Sequence, residues 1–331
     1  MNPLTSPGKK WLVRIAKIAV FAVVIWAVRQ TLADAWKQLG AYPWQFRPGW
    51  LVVSGGLYLV GLLPAGLFWH RVLRVLGQQA RLGETLRAYY VGHLGKYVPG
   101  KAMVVILRAG MIRGRRVDTG VAAVSVFFET LTMMAVGAFL AAAVLALGFR
   151  DRSFVFYGAV GLMLASALPT LPPIFQRLVR LARVGKSDPA IAEKIGKLGY
   201  GSLAAGWLTM TLVWSLLGLS YWASLRAMGI PDLNPLADLP RYTAGVSLAM
   251  VAGFLLLVLP GGLGVREAAL VKIMIPYLTP RVPDAAELAA WASAAVLRLV
   301  WVLSEVLIAA LMGIAMRRRR PADTGPENPL I

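Results

Sequence analysis

Six apolar runs, at about 11–28, 50–69, 118–148, 154–175, 203–227 and 288–316, are each long enough to cross a bilayer. A hydrocarbon core ~30 Å thick needs roughly 20 residues of helix. Such runs must satisfy their own backbone groups, which a helix does within a single segment. Only 15% of residues are charged and mean hydropathy is +0.66, whereas soluble domains carry about 25% charge. The expected fold is an all-α integral membrane protein with about six transmembrane helices.

Two further stretches, about 86–109 and 242–277, are interrupted by Pro-Gly: Pro99-Gly100 followed by Lys101, and Pro260-Gly261-Gly262 followed by Gly264, Arg266 and Glu267. A full span through the first would bury Arg87, His93 and Lys96. Each Lys or Arg at mid-bilayer costs about 2.5–3.5 kcal/mol. Two half-helices in a re-entrant hairpin avoid much of that penalty, because irregular backbone is tolerated where protein or water surrounds it. The second stretch is open to either reading, since Ala244–Leu259 is nearly a complete span. Broken helices at matching places in two halves point to a midplane binding site.

Charge sets the expected orientation. With a cytoplasmic N-terminus and both broken stretches as hairpins, 24 of the 35 Lys and Arg fall on the cytoplasmic side, 10 on the other, and Arg298 within a span. This is the positive-inside bias, and most of these charges are expected only to set topology. It also accounts for the net charge of +20 without nucleic acid, for which there is no motif or aromatic platform. Both termini are then cytoplasmic. The first hairpin enters from the cytoplasmic face and the second from the opposite face. Residues 1–320 form one membrane domain, with halves of about 10–150 and 151–317 in inverted repeat. Pro99 and Pro260 are 161 residues apart.

Smaller features follow. The first run contains Arg14 and Lys17 and lacks a small-residue cleavage site, as expected of a retained helix. Pro64 is expected to kink its helix, and Ile191–Leu198 to lie at the interface. Trp44, Trp50 and Trp69 suit an interfacial belt. The polar segment 321–331 is expected to be disordered.

Ionisable groups inside a membrane are functional candidates by default. Here they are Lys96, Lys101, Arg108, Glu129, Arg266, Glu267, Arg298 and Glu305. The half-helix after Pro99-Gly100 would present free amides and a positive dipole end, which attract an anion, with Lys101 adding a cation. A lipid phosphate is the natural anion there. Glu129 and Glu305 would balance that charge, carry a proton or hold a cationic headgroup. The competing reading makes Arg298, Glu129 and Glu305 structural pairs, and Arg266-Glu267 a helix cap.

His70 and His93 have no carboxylate or second histidine at ligand spacing, so no metal site is expected. The chain has no cysteine, no nucleophile motif and no phosphate-binding loop. No cofactor and no enzymatic activity are expected.

Lys96, Pro99-Gly100-Lys101, Arg108, Glu129, then Pro260-Gly261-Gly262, Gly264 and Glu267 resemble the flippase-like, lysylphosphatidylglycerol synthase transmembrane-region family. The resemblance spans about 10–316 and implies a multi-pass protein of the bacterial inner membrane. It also implies a headgroup site at these positions. No aminoacyl-transfer domain accompanies it within these residues, so synthase activity is not expected. The leading expectation is a flippase for an anionic or aminoacylated (phospho)lipid or a lipid-linked intermediate. The alternatives are an accessory subunit of a lipid- or envelope-synthesis enzyme and an intramembrane transferase. Expected partners are membrane lipids with a phosphate-bearing headgroup, with a second copy of the chain or a lipid-synthesis enzyme as further possibilities.

Overall fold

The computed structural model describes residues 44–97, 102–114, 116–148, 153–181, 189–255 and 264–319. Among them the structure is helical, with one isolated bridge between Gly114 and Val117. The helices are α1 (Gly49–Val75), α2 (Leu82–His93), α3 (Ala102–Ile112), α4 (Thr119–Gly148), α5 (Ser153–Ala167), α6 (Pro172–Leu181), α7 (Pro189–Gly196), α8 (Tyr200–Ala227), α9 (Leu239–Leu255), α10 (Val265–Leu278) and α11 (Ala286–Arg319). The expected first run and the terminal segment 321–331 lie outside the described residues. So do Pro99, Gly100, Lys101, Pro260, Gly261 and Gly262.

Four stretches are long and apolar enough to cross a membrane: α1, α4, α8 and Pro283–Met312 within the last helix and its lead-in turn. Their outer faces are apolar as well. Val52, Leu208, Leu212, Leu307 and, on α5, Phe154 are all exposed, a surface suited to lipid rather than water. α1 continues through Pro64 without interruption.

The run 154–175 is not one straight span. α5 ends at Ala167, and α6 leaves it at 70°. Pro169, Pro172 and Pro173 remove three backbone donors in five residues and disfavour helix at the preceding positions. α6 is amphipathic: it buries Pro172, Phe175 and Val179 and exposes Arg177 and Arg180. Trp69 is no belt residue either. It is fully buried and donates its indole N–H to Ser125 Oγ at 2.9 Å.

Both Pro-Gly breaks separate helices that fold back on each other. A Cβ on Gly92 would lie 2.5 Å from Arg108 Cγ, and one on Gly95 would lie 2.8 Å from Val104 N. Position 92 thus faces 108 and 95 faces 104, so α2 and α3 run antiparallel about the break. In the second pair, Gly245 faces Leu270 and Met274, and Tyr242 hydrogen-bonds Tyr277 at 2.7 Å. α9 and α10 are therefore antiparallel too. This packing leaves α9 as one arm of a helical hairpin.

The packing repeats itself. Exchanging α1 with α8, α2 with α9, α3 with α10 and α4 with α11 maps every substantial contact among the described residues of these eight helices onto another, or, for α1 against α8, onto itself. The contact of α2 with α11 becomes that of α9 with α4, and α3 against α4 becomes α10 against α11. α1 and α8 pack on each other. Ser54 meets Ser220 and Ser224, Gly61 meets Leu216, and Gly206 meets Phe68, which makes them antiparallel. Equivalent helices that run antiparallel are related by an axis perpendicular to their length.

Between apolar helices in lipid, small residues and hydroxyl pairs supply the cohesion. Ser54 Oγ donates to Ser220 O at 2.7 Å and Ser220 Oγ donates back to Ser54 O at 2.8 Å. Gly137 leaves room for the indole of Trp214, and Gly218 for the backbone of Thr243. The tightest backbone approach at the first break gives a direct test. Gly95→Ala should destabilise by about 1–3 kcal/mol through overpacking, because Val104 N and Met103 C cannot move independently of α3. Gly110→Ala, with nothing within 4 Å, should be neutral or slightly stabilising. Thermal unfolding of the two variants in detergent compares them.

Candidate functional site

The first hairpin delivers four side chains toward the bundle interior. Arg108 on α3 is buried and donates through Nη1 to Glu129 Oε2 on α4 at 2.7 Å. Tyr89 Oη donates to the other oxygen of Glu129 at 3.1 Å. The Arg108 guanidinium lies 3.9 Å from the Tyr89 ring centroid, a cation–π contact that matters more when desolvated. Arg108 Nη2 also reaches His93 Nδ1 at 3.2 Å.

A guanidinium can only donate, so Nδ1 accepts and the neutral ring carries its proton on Nε2. That Nε2 faces Glu305 Oε1 on α11 at 3.8 Å. The same carboxylate oxygen accepts from Lys96 Nζ at 2.5 Å and from Tyr58 Oη on α1. Glu305 and Glu129 are each 1% exposed. His93 therefore bridges two buried ion pairs. Glu305 lies far along the chain, where spacing cannot reveal it.

Trp301 carries the chain of contacts onward. It stacks on Tyr58 with centroids 4.5 Å apart, and the Arg266 guanidinium stands 5.8 Å from a Trp301 ring centroid. Arg266, Glu267, Arg298 and Trp301 line a small cavity of about 20 Å³, room for about one water. Arg298 pairs with Glu267. Glu267 Oε2 also accepts the Gly264 N–H at 2.8 Å, capping α10. Gly264 has φ +79°, a left-handed conformation that glycine adopts without strain. Glu267 is thus both cap and ion-pair partner.

The two intra-half pairs are equivalents under the helix exchange. Arg108 joins α3 to α4, and Glu267 joins α10 to α11 through Arg298, with the charges reversed. The Lys96–Glu305 pair instead joins the first half to the second. Among the described residues, four cations (Lys96, Arg108, Arg266, Arg298) meet three carboxylates (Glu129, Glu267, Glu305), leaving a net positive charge. Glu305 Oε2 and Arg298 Nη2 make no hydrogen bond among the described residues, so each retains capacity for a ligand group.

A family model described as the lysylphosphatidylglycerol synthase TM region matches residues 14–282. The chain belongs to that family. Comparison with curated proteins gives no match. With several apolar helices and this membership, the chain is a multi-pass membrane protein with a lipid-related role.

In this lysylphosphatidylglycerol synthase TM-region protein, the structure gathers Lys96, Arg108, Glu129, Gly264, Arg266, Glu267, Arg298 and Glu305 around one connected network. Tyr58, Tyr89, His93 and Trp301 complete it and were missed as site residues. Tyr58 and Trp301 sit in apolar runs, where an aromatic looks like ordinary core. Arg298 and Glu305, seven residues apart on α11, serve different partners.

Proposed function

We propose that this protein moves a lipid with a phosphate-bearing anionic headgroup, phospholipid or lipid-linked intermediate, between leaflets of the bacterial inner membrane. The carrying observation is the buried Lys96–Glu305 pair, which joins the two halves while Arg298 Nη2 keeps an unused donor. A site held by one charge from each half can open when those halves rock against each other, as in transporters built from inverted repeats. The surplus positive charge suits a phosphate, and the apolar exterior lets acyl chains remain in lipid. The chain then acts as a carrier rather than an enzyme. Movement runs downhill or is coupled to a proton or the membrane potential, with Glu129 or Glu305 as the proton carrier.

On this reading six helices span the bilayer, both termini are cytoplasmic, and the two helical hairpins are re-entrant from opposite faces. The antiparallel packing of α1 on α8, its equivalent under the helix exchange, supports that inversion. The chain has no native cysteine, so single cysteines report topology directly. Gly83→Cys and Arg113→Cys should react with an impermeant thiol reagent only from the cytoplasmic side. Leu236→Cys and Asp284→Cys should react only from the other. Labelling of all four from one side would refute the opposed hairpins.

For the transport itself, purified protein in vesicles should transfer its co-purifying lipid between leaflets without another protein. Transfer that requires an added synthesis enzyme would instead indicate an accessory subunit.

A further inference from the structure

A second polar concavity lies apart from the buried network, between the end of α1 and the start of α2. It measures about 730 Å³ and is lined by His70, Arg74, Gln78, Gln79, Arg81 and Arg116, among others. We propose that this cleft binds a phosphate-bearing anion, deepening the lipid-transport reading by giving the headgroup a peripheral docking site.

Three arginines from three segments face one cavity, and among the described residues no carboxylate lines it. No described carboxylate pairs with Arg74, Arg81 or Arg116. The acids adjoining these segments in sequence, Glu84 and Asp118, each accept a backbone N–H: Glu84 that of Arg81 at 3.3 Å, and Asp118 Oδ1 that of Val121 at 2.8 Å. Guanidinium groups in such an arrangement match phosphate oxygens in bidentate fashion.

The cleft is also built rather than incidental. Gln78 is buried, donates from Nε2 to Leu76 O at 3.0 Å and accepts the Asp118 N–H on Oε1 at 2.8 Å. Gln79 N–H donates to Arg116 O at 3.1 Å. Gly77, at φ +74°, makes the turn that brings these strands of backbone together. The loop carrying Arg116 is thereby fixed opposite Arg74 and Arg81. Positive-inside orientation needs only charge near the membrane face, not a pinned concavity of a size typical of ligand sites.

The test titrates purified protein in detergent with dihexanoyl phosphatidylglycerol and, separately, with inorganic phosphate. The triple variant R74Q/R81Q/R116Q should bind the lipid at least tenfold more weakly, since each lost charged hydrogen bond alone accounts for about that factor. Its unfolding midpoint should stay near wild type, because all three side chains are exposed. Inorganic phosphate binding as tightly as the lipid, and lost in the same variant, supports the site but assigns it to the free anion. Equal lipid affinity in wild type and triple variant overturns the proposal. Glu305→Gln should leave this binding intact, so a failure of transport and a failure of the cleft are read separately.

Discussion

Arg108→Ala is expected to destabilise the protein by about 3–5 kcal/mol, the usual consequence of leaving a buried charge without its partner. Glu129, 1% exposed beside Arg108, would keep only Tyr89 and Thr130 as hydrogen-bond donors among the described residues. Removing both charges at once, as in Arg108→Met with Glu129→Leu, should recover most of that loss, because an apolar pair avoids the desolvation penalty. The comparison of single and double variants by thermal unfolding in detergent gives the coupling directly. It also separates two roles. If the pair only locks α3 to α4, the double variant is folded and active. If it belongs to the headgroup site, the double variant is folded and inactive.

Glu305→Gln should reduce lipid transfer at least tenfold while leaving the protein folded. The amide still accepts from Lys96 Nζ and Tyr58 Oη through its oxygen, so the local packing survives. What disappears is the charge that holds Lys96 and faces His93. Lys96→Gln should produce the same loss from the other side of the contact. The exchanged pair, Lys96→Glu with Glu305→Lys, restores attraction between the halves but reverses the charges presented to His93 and Arg108. It should therefore regain stability without regaining transfer. Recovery of both would mean that the pair is a latch and nothing more.

Much of the fold is legible in the sequence because bilayers impose local rules. A helix that must span hydrocarbon announces itself by length and composition, as α1, α4, α8 and α11 do. Lys96, Arg108, Glu129, Arg298 and Glu305 stand out because an ionisable group in that setting needs a partner. The partners themselves are not legible. Nothing in the spacing joins His93 to Glu305, or Tyr58 to Lys96, since those contacts form only when α1, α2 and α11 meet. Hydropathy averaging also conceals the turn between α5 and α6, although Pro169, Pro172 and Pro173 mark it. Trp69 was misplaced for a related reason: an indole in an apolar run reads as an interfacial anchor unless the hydroxyl of Ser125 is known to face it.

In the sequence the repeat is marked by the two Pro-Gly breaks and by the charge distribution that places the halves in opposite orientation. The paired helix contacts add what sequence identity between the halves does not supply, namely that α3–α4 and α10–α11 each carry one ion pair with the charges exchanged. Arg298 and Glu267 should accordingly matter less to stability than Arg108 and Glu129, because Glu267 is partly exposed. Arg298→Met is expected to lower the unfolding midpoint by less than Arg108→Met, measured side by side in the same detergent.

The most direct measurement is leaflet transfer in vesicles that contain this protein alone. A fluorescent analogue of the co-purifying lipid is placed in both leaflets, and an impermeant quencher is added outside. Wild-type vesicles should lose inner-leaflet fluorescence as lipid crosses, whereas Glu305→Gln vesicles should retain it as protein-free vesicles do. Wild-type protein that moves no lipid, or a Glu305→Gln variant that moves it as fast as wild type, would contradict a headgroup site held between the two halves.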